Sequence, residues 1–304
     1  MGVRELVRRI LCLKLRLVAA AAPLLVASLL ARPYTDGWRV APQLQPVRVT
    51  DAATLESLFD GYGYNWPPQQ MVPPLAIKQF PADLQSLDSS RRKSLFFRAL
   101  LPMVEAENAR VRAQRRFIQE RFAQGQLREG SRAWSQVGKL AEIYRVSGDI
   151  NDPQVRAILL RRVDEVPPAL MLAQAANESA WGNSRFAREA NNLFGQWTYK
   201  QELGMVPARR EEGARHYVRV FPDLRSSVRA YLRNINIGHA YLDLRRMRAR
   251  MRAAGEPLDP FRLSNGLLRY SQRGEEYVND IRTMMSVNGL DQLGQLQLAP
   301  PQES

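Results

Sequence analysis

The sequence predicts an α+β fold that is mostly helical, with one small β-hairpin lobe. Two observations carry this. Apolar residues recur at helical spacing over several separate stretches between residues 81 and 287. One interruption, over residues 198–221, breaks that period: HYVRVF at 216–221 has the β-propensity and alternation of a strand, and Arg210-Glu211-Glu212-Gly213 reads as the approach to a turn. The composition, 45% hydrophobic and 24% charged over 304 residues, is that of a globular chain with room for one large domain or two modest ones.

At the N-terminus Arg4, Arg8, Arg9, Lys14 and Arg16 precede an uncharged run over residues 17–31, LVAAAAPLLVASLLA. A basic flank before a short apolar core is the pattern of a signal peptide. As a helix the run would span roughly 22 Å, short of the roughly 30 Å hydrocarbon layer. Ser28-Leu29-Leu30-Ala31 is a poor small-x-small cleavage site, so residues 1–31 are read as a signal peptide or a membrane anchor. Either way the remainder is expected in the cell envelope, on the periplasmic side, held to the inner membrane if the segment stays uncleaved. The single cysteine, Cys12, excludes an internal disulfide framework and a CxxC metal site. With His216 and His239 as the only histidines, no metal is expected, and no organic cofactor is required. No GxSxG elbow surrounds a serine. A net charge of +14 suits nucleic acid, anionic lipid or an acidic polymer, and equally suits solvated helix faces. Charge selects none of these, and nucleic acid conflicts with export.

Residues 32–80 shift to proline, glycine and aromatics, as in GYGYNWPPQQMVPPL, and read as an extended linker with little regular structure. Residues 81–150 form a helical N-terminal region, with stretches over 81–125 and 131–144 whose arginines and glutamates make a solvated face. Residues 151–289 then carry the chemistry. Val166-Pro167-Pro168 opens a helix, since a proline's missing N–H costs nothing in a first turn, and Gly182 supplies a stop. Glu178 falls near the carbonyl end of that helix, among alanines and beside Trp181. The helix dipole and apolar neighbours both disfavour its ionisation, as a general acid requires. A surface glutamate on an amphipathic helix would fit the same residues. Next, Asn191-Asn192-Leu193-Phe194-Gly195-Gln196-Trp197 mixes amides with flat rings, the groups that bind sugar hydroxyls, acetamides and pyranose faces. It fits equally a turn anchored in the core by Phe194 and Trp197. Helices resume near 226, at 239–255, 260–268 and 274–287, and residues 290–304 read as a loose tail.

The segments AQAANESAWGNSRFA and NNLFGQWTY, the EEG turn and YSQRGEEYVNDIRTMM together resemble the glucosaminidase family of peptidoglycan hydrolases, over about residues 155–288. The resemblance implies a lysozyme-like helical lobe set across a groove from the hairpin lobe, and endo-cleavage of the β-1,4 bond after N-acetylglucosamine. It matches Glu178 to the family's catalytic acid, places the acidic hairpin position at Glu212 with Glu211 adjacent, and puts the active-site tyrosine at Tyr277, with Tyr270 second. The remaining candidate substrate contacts are Asn177, Trp181, Asn192, Phe194, Gly195 and Trp197. Asn177 departs from the family, which usually has an apolar residue before the acid. The expected partner is the peptidoglycan glycan strand, met by a monomer. A wall-binding or scaffold protein on an inactive hydrolase fold is the alternative, and it turns on whether Glu178 and Glu212 face one another.

Overall fold

Side-chain caps start most helices in the computed structural model of the chain, which describes residues 42–207, 213, 215–294 and 296–300. All of these fall in one compact unit. Strand β1 (Gln45–Val47) leads to helix α1 (Ala52–Gly61), where Asp51 accepts the Thr54 N–H. Strands β2 (Met71–Val72) and β3 (Leu75–Ile77) precede the long helix α2 (Ser89–Phe122), capped by Asp88. Helices α3 (Arg132–Ile143) and α4 (Pro153–Arg162) start at Ser131 and Asp152. Helix α5 (Pro168–Ser179) begins with proline in its first turn and is followed by the short α6 (Arg185–Ala190). Strands β4 (Trp197–Thr198), β5 (Gly204–Met205) and β6 (Tyr217–Arg219) form one antiparallel sheet in the order β4-β6-β5. Helices α7 (Leu224–Ile237), α8 (Leu242–Ala253), α9 (Pro260–Ser264) and α10 (Glu275–Val287) complete the helical part, and β7 (Gln297–Leu298) closes the described chain. The fold is α+β and mostly helical, as expected. Helix α4 escaped the sequence reading, although Asp152-Pro153 carries both a cap and a first-turn proline.

Two segments are more ordered than their composition suggested. From residue 42 onward, the stretch read as a linker is built into the core. Strand β1 pairs in parallel with β3, Gln45 opposite Leu75 and Val47 opposite Ile77, and α1 buries Ala52, Leu55 and Phe59. Those three positions follow helical spacing, a signal masked by the surrounding prolines and glycines. The tail is likewise tied down: Gln297 and Leu298 of β7 pair in parallel with Met71 and Val72 of β2, and Leu290 and Leu296 are buried. The apolar run at 17–31 lies outside the described residues; among those described, no helix is long and apolar enough to cross a membrane.

Helix α5 packs against α2 and α10 and is buried at every position from Ala169 to Ala176. Polar contacts fix where it enters. The Asn108 amide, on α2, donates to the Val166 carbonyl at 2.8 Å and accepts the Val166 N–H at 3.2 Å. Buried Arg248 on α8 donates to the carbonyls of Arg161, Asp164 and Glu165 and to Asn236 on α7. At the other end Gly182 adopts φ +78, and a Cβ there would stand 2.9 Å from the Phe80 ring. Gly182→Ala is expected to destabilise the fold by about 1–3 kcal/mol, from backbone strain and the displaced ring. An unchanged midpoint in denaturant titration would contradict this.

Candidate active site

Beyond Ala176 the burial of α5 breaks at Asn177 and Glu178, which are half-buried and open onto a groove of about 870 Å³. The helix then stops sharply. The Ser179 hydroxyl donates to the Ala175 carbonyl at 2.6 Å and accepts the Gly182 N–H at 2.9 Å. Ala180 and Trp181 take φ values of 49° and 60°, the left-handed region that side-chain-bearing residues avoid. Such strain persists only where the surroundings enforce it. Here they do: the Trp181 ring meets Phe96 and Phe97 of α2 edge-on, at 5.8 and 5.2 Å, with the Lys93 ammonium 4.8 Å from its centroid. Trp181 therefore does not line the groove. The left-handed turn carries its ring to the α2 side, away from the other candidate substrate contacts.

The apolar surroundings of Glu178 come instead from tyrosines distant in sequence. Gln174, one turn earlier on the same face, donates from Nε2 to the Tyr277 hydroxyl of α10 at 2.9 Å, and its Oε1 accepts from Tyr231 of α7. The Tyr270 ring stacks on Tyr277 at 4.9 Å, and its hydroxyl lies 3.3 Å from the Phe194 carbonyl. Burial pushes the Glu178 carboxyl above its ordinary value, and hydrogen bonds from Tyr277, Asn177 and Tyr270 offset part of that rise. Burial also raises the hydroxyls of Tyr277 and Tyr270, which stay protonated as donors. A carboxyl that keeps its proton beyond the usual range, facing neutral donors across open space, is equipped to give that proton to a bound oxygen.

The 191–197 turn divides its labour. Asn192 is buried: its amide donates to the carbonyls of Gln196 and Arg219 at 2.8 and 2.9 Å and accepts the Gln196 N–H at 2.9 Å. With those positions filled, it shapes the turn and does not line the groove, contrary to its expected role. Phe194, stacked on Tyr231 at 3.9 Å, does line it, with Gly195 and with Trp197, which is 58% exposed and packs against His216. Asn177, Glu178, Phe194, Gly195, Trp197, Tyr270 and Tyr277 are thus brought together. Glu211 and Glu212 lie outside the described residues, in the connection between β5 and β6.

Sequence reasoning missed Gln196, a groove-wall residue whose side-chain amide nitrogen and oxygen are both buried with no hydrogen-bond partner among the described residues. Its place between Gly195 and Trp197 was the available signal. It also missed Arg145, Arg219, Arg233 and Tyr241, which the fold gathers from α3, β6, α7 and the start of α8. No group of three or more His, Cys, Asp or Glu that could hold a metal occurs among the described residues.

A helical lobe and a three-stranded sheet flank a groove in which one carboxyl, raised in pKa, sits among tyrosines. A family model described as mannosyl-glycoprotein endo-beta-N-acetylglucosaminidase matches residues 156–290. Protein bax of Escherichia coli (strain K12) is 32% identical over 198 residues, 65% of this chain and 70% of that protein. Exo-glucosaminidase LytG of Bacillus subtilis (strain 168) is 36% identical over 92 residues, 27% of this chain and 33% of that protein. No solved structure gives a significant match. The chain belongs to the glucosaminidase family.

The tyrosine contacts give a pH signature. A hydroxyl donating to Glu178 favours the carboxylate and lowers its pKa. Tyr277→Phe removes that donor, so Glu178 keeps its proton to higher pH. The alkaline limb of the normalised activity profile should move up in pH. A limb that moves down would show that Tyr277 acts on some other group.

Proposed function

We propose that the protein is a peptidoglycan hydrolase, an endo-β-N-acetylglucosaminidase that cleaves the β-1,4 bond after N-acetylglucosamine. The observation that carries this reading is Glu178, half-buried, raised in pKa and opening onto a groove of about 870 Å³. Membership of the glucosaminidase family supports the substrate class. In this mechanism Glu178 gives its proton to the leaving glycosidic oxygen as the C1–O bond breaks. Water then adds to C1 and gives its proton to a carboxylate, Glu212 or, when the acetamide has assisted, the Glu178 left ionised by the first step. Tyr277 and Tyr270 orient the Glu178 carboxyl. Trp197, largely exposed, offers a flat face to a pyranose ring, with Phe194 and Gln196 beside it in the groove wall.

The positive charge that builds on the sugar needs a second negative group. We assign it to Glu212 on the β5–β6 connection, with the substrate's own acetamide as the alternative. Digestion of purified sacculi by three variants tests both assignments. Glu178→Gln keeps its size and loses the transferable proton, so cleavage should fall by roughly 10²- to 10⁴-fold with an unchanged circular dichroism spectrum. Glu212→Gln should cripple turnover while Glu211→Gln stays near wild type. Mass spectrometry of the new reducing ends should find N-acetylglucosamine. Ends in N-acetylmuramic acid, or wild-type rates in Glu178→Gln, would sink the reading.

Such a substrate places the enzyme in the cell envelope, which agrees with the basic flank and apolar run at residues 4–31. An alkaline phosphatase fused after Pro33 should be active outside the cytoplasm; an inactive fusion would count against export.

A further inference from the structure

The groove carries its charge unevenly. Among its described lining residues Glu178 is the one carboxylate, set against Arg145, Arg219, Arg233 and Arg273. Arg273 is neutralised, with Asp280 at 2.8 Å and Glu276 at 3.4 Å. The other three have no carboxylate partner among the described residues. Elsewhere the protein pairs arginines readily: Arg225 and Arg229 share Glu107 at 2.8 and 2.9 Å.

Arg145 and Arg233 are also held in place. Arg233 Nη2 donates to the Ile143 carbonyl at 3.2 Å, at the C-terminal end of α3. Two residues on, Arg145 is fixed at φ 55, and Arg162 donates to both its carbonyl and that of Tyr144. The fold therefore brings two exposed guanidiniums to the groove, Arg233 anchored two residues from Arg145, with no carboxylate paired to either among the described residues. Like charges so placed repel, and the arrangement is relieved when an anion binds.

We propose that Arg145 and Arg233 form a subsite for a carboxylate carried on the glycan, next to the sugar cleaved at Glu178. The proposal rests on the glycan-hydrolase reading above and narrows its substrate class to acidic chains over neutral ones. Arginine suits the task, because its planar fork meets a carboxylate with two parallel hydrogen bonds. The carboxylate has two sources in peptidoglycan, the lactyl group of a muramic acid unit and the peptide attached to it.

Calorimetric binding to the full chain bearing Glu178→Gln separates these possibilities without turnover. The ligands are a muramic-acid-containing tetrasaccharide with free lactyl groups, the same chain with peptides attached, the carboxyl-amidated form of each, and chitotetraose. The parent should bind at least one acidic chain roughly tenfold tighter than its amidated form, with the preference shrinking as salt rises. Adding Arg145→Gln and Arg233→Gln should erase that preference, and the acidic chain that loses affinity identifies the source. Both residues are exposed, and circular dichroism checks that the fold is kept. Equal affinity for acidic and amidated chains in the parent, or a preference that survives the double substitution, overturns the subsite and leaves the hydrolase reading standing. Failure to bind any of the five glycans overturns both.

Discussion

Gln174 is wholly buried in α5, and both ends of its side-chain amide are held by tyrosine hydroxyls, Tyr231 from α7 and Tyr277 from α10. An amide sealed from water and left unpaired costs about 1–3 kcal/mol, so α7 and α10 are constrained to present their tyrosines to it. The same contacts decide the chemistry one turn later. Tyr277 reaches Glu178 because Gln174 holds its oxygen, Tyr270 stacks on Tyr277, and Phe194 stacks on Tyr231. A single buried side chain thus links the helix that carries the acid to the residues that surround it.

That arrangement needs rigid helices, and the protein fixes them with buried charge. Glu107 on α2 shows how. Burial raises its carboxyl, but hydrogen bonds and charge from Arg229, Arg110 and Arg225 outweigh that and leave it lowered, so an ionised side chain clamps α2 to α7. Glu105, two residues away, has only Arg112 at 3.7 Å, and burial pushes it up to about 7. The difference lies in the number of partners: three guanidiniums offset the desolvation of a buried carboxylate and one does not. Backbone strain at Ala180 and Trp181 is offset in the same local way, by a ring buried against Phe96 and Phe97. The turn that costs conformational energy is also the one that leaves Glu178 facing the groove with no tryptophan over it.

The sequence by itself determined most of the longer helical elements, the interruption by a small sheet, and the place of Glu178 near the end of its helix. Caps at Asp88, Ser131 and Asp223 and the first-turn proline of α5 are local signals, because a helix end must satisfy its own N–H groups within one turn. Glu178 was legible for the same reason: its helix and its place near the carbonyl end are set by neighbouring residues. Tertiary structure decided which side chains meet it. Trp181 and Asn192 were credible ligand contacts by composition, yet the left-handed turn sets one against Phe96 and Phe97 and backbone hydrogen bonds occupy the other. Arg145, Arg219 and Arg233 reach the groove from three separate elements, and Gln174 finds Tyr277 across 103 positions of chain. No window of sequence contains such a pair. Contacts between distant residues are fixed by how helices pack, and packing is settled only when the whole core is filled at once.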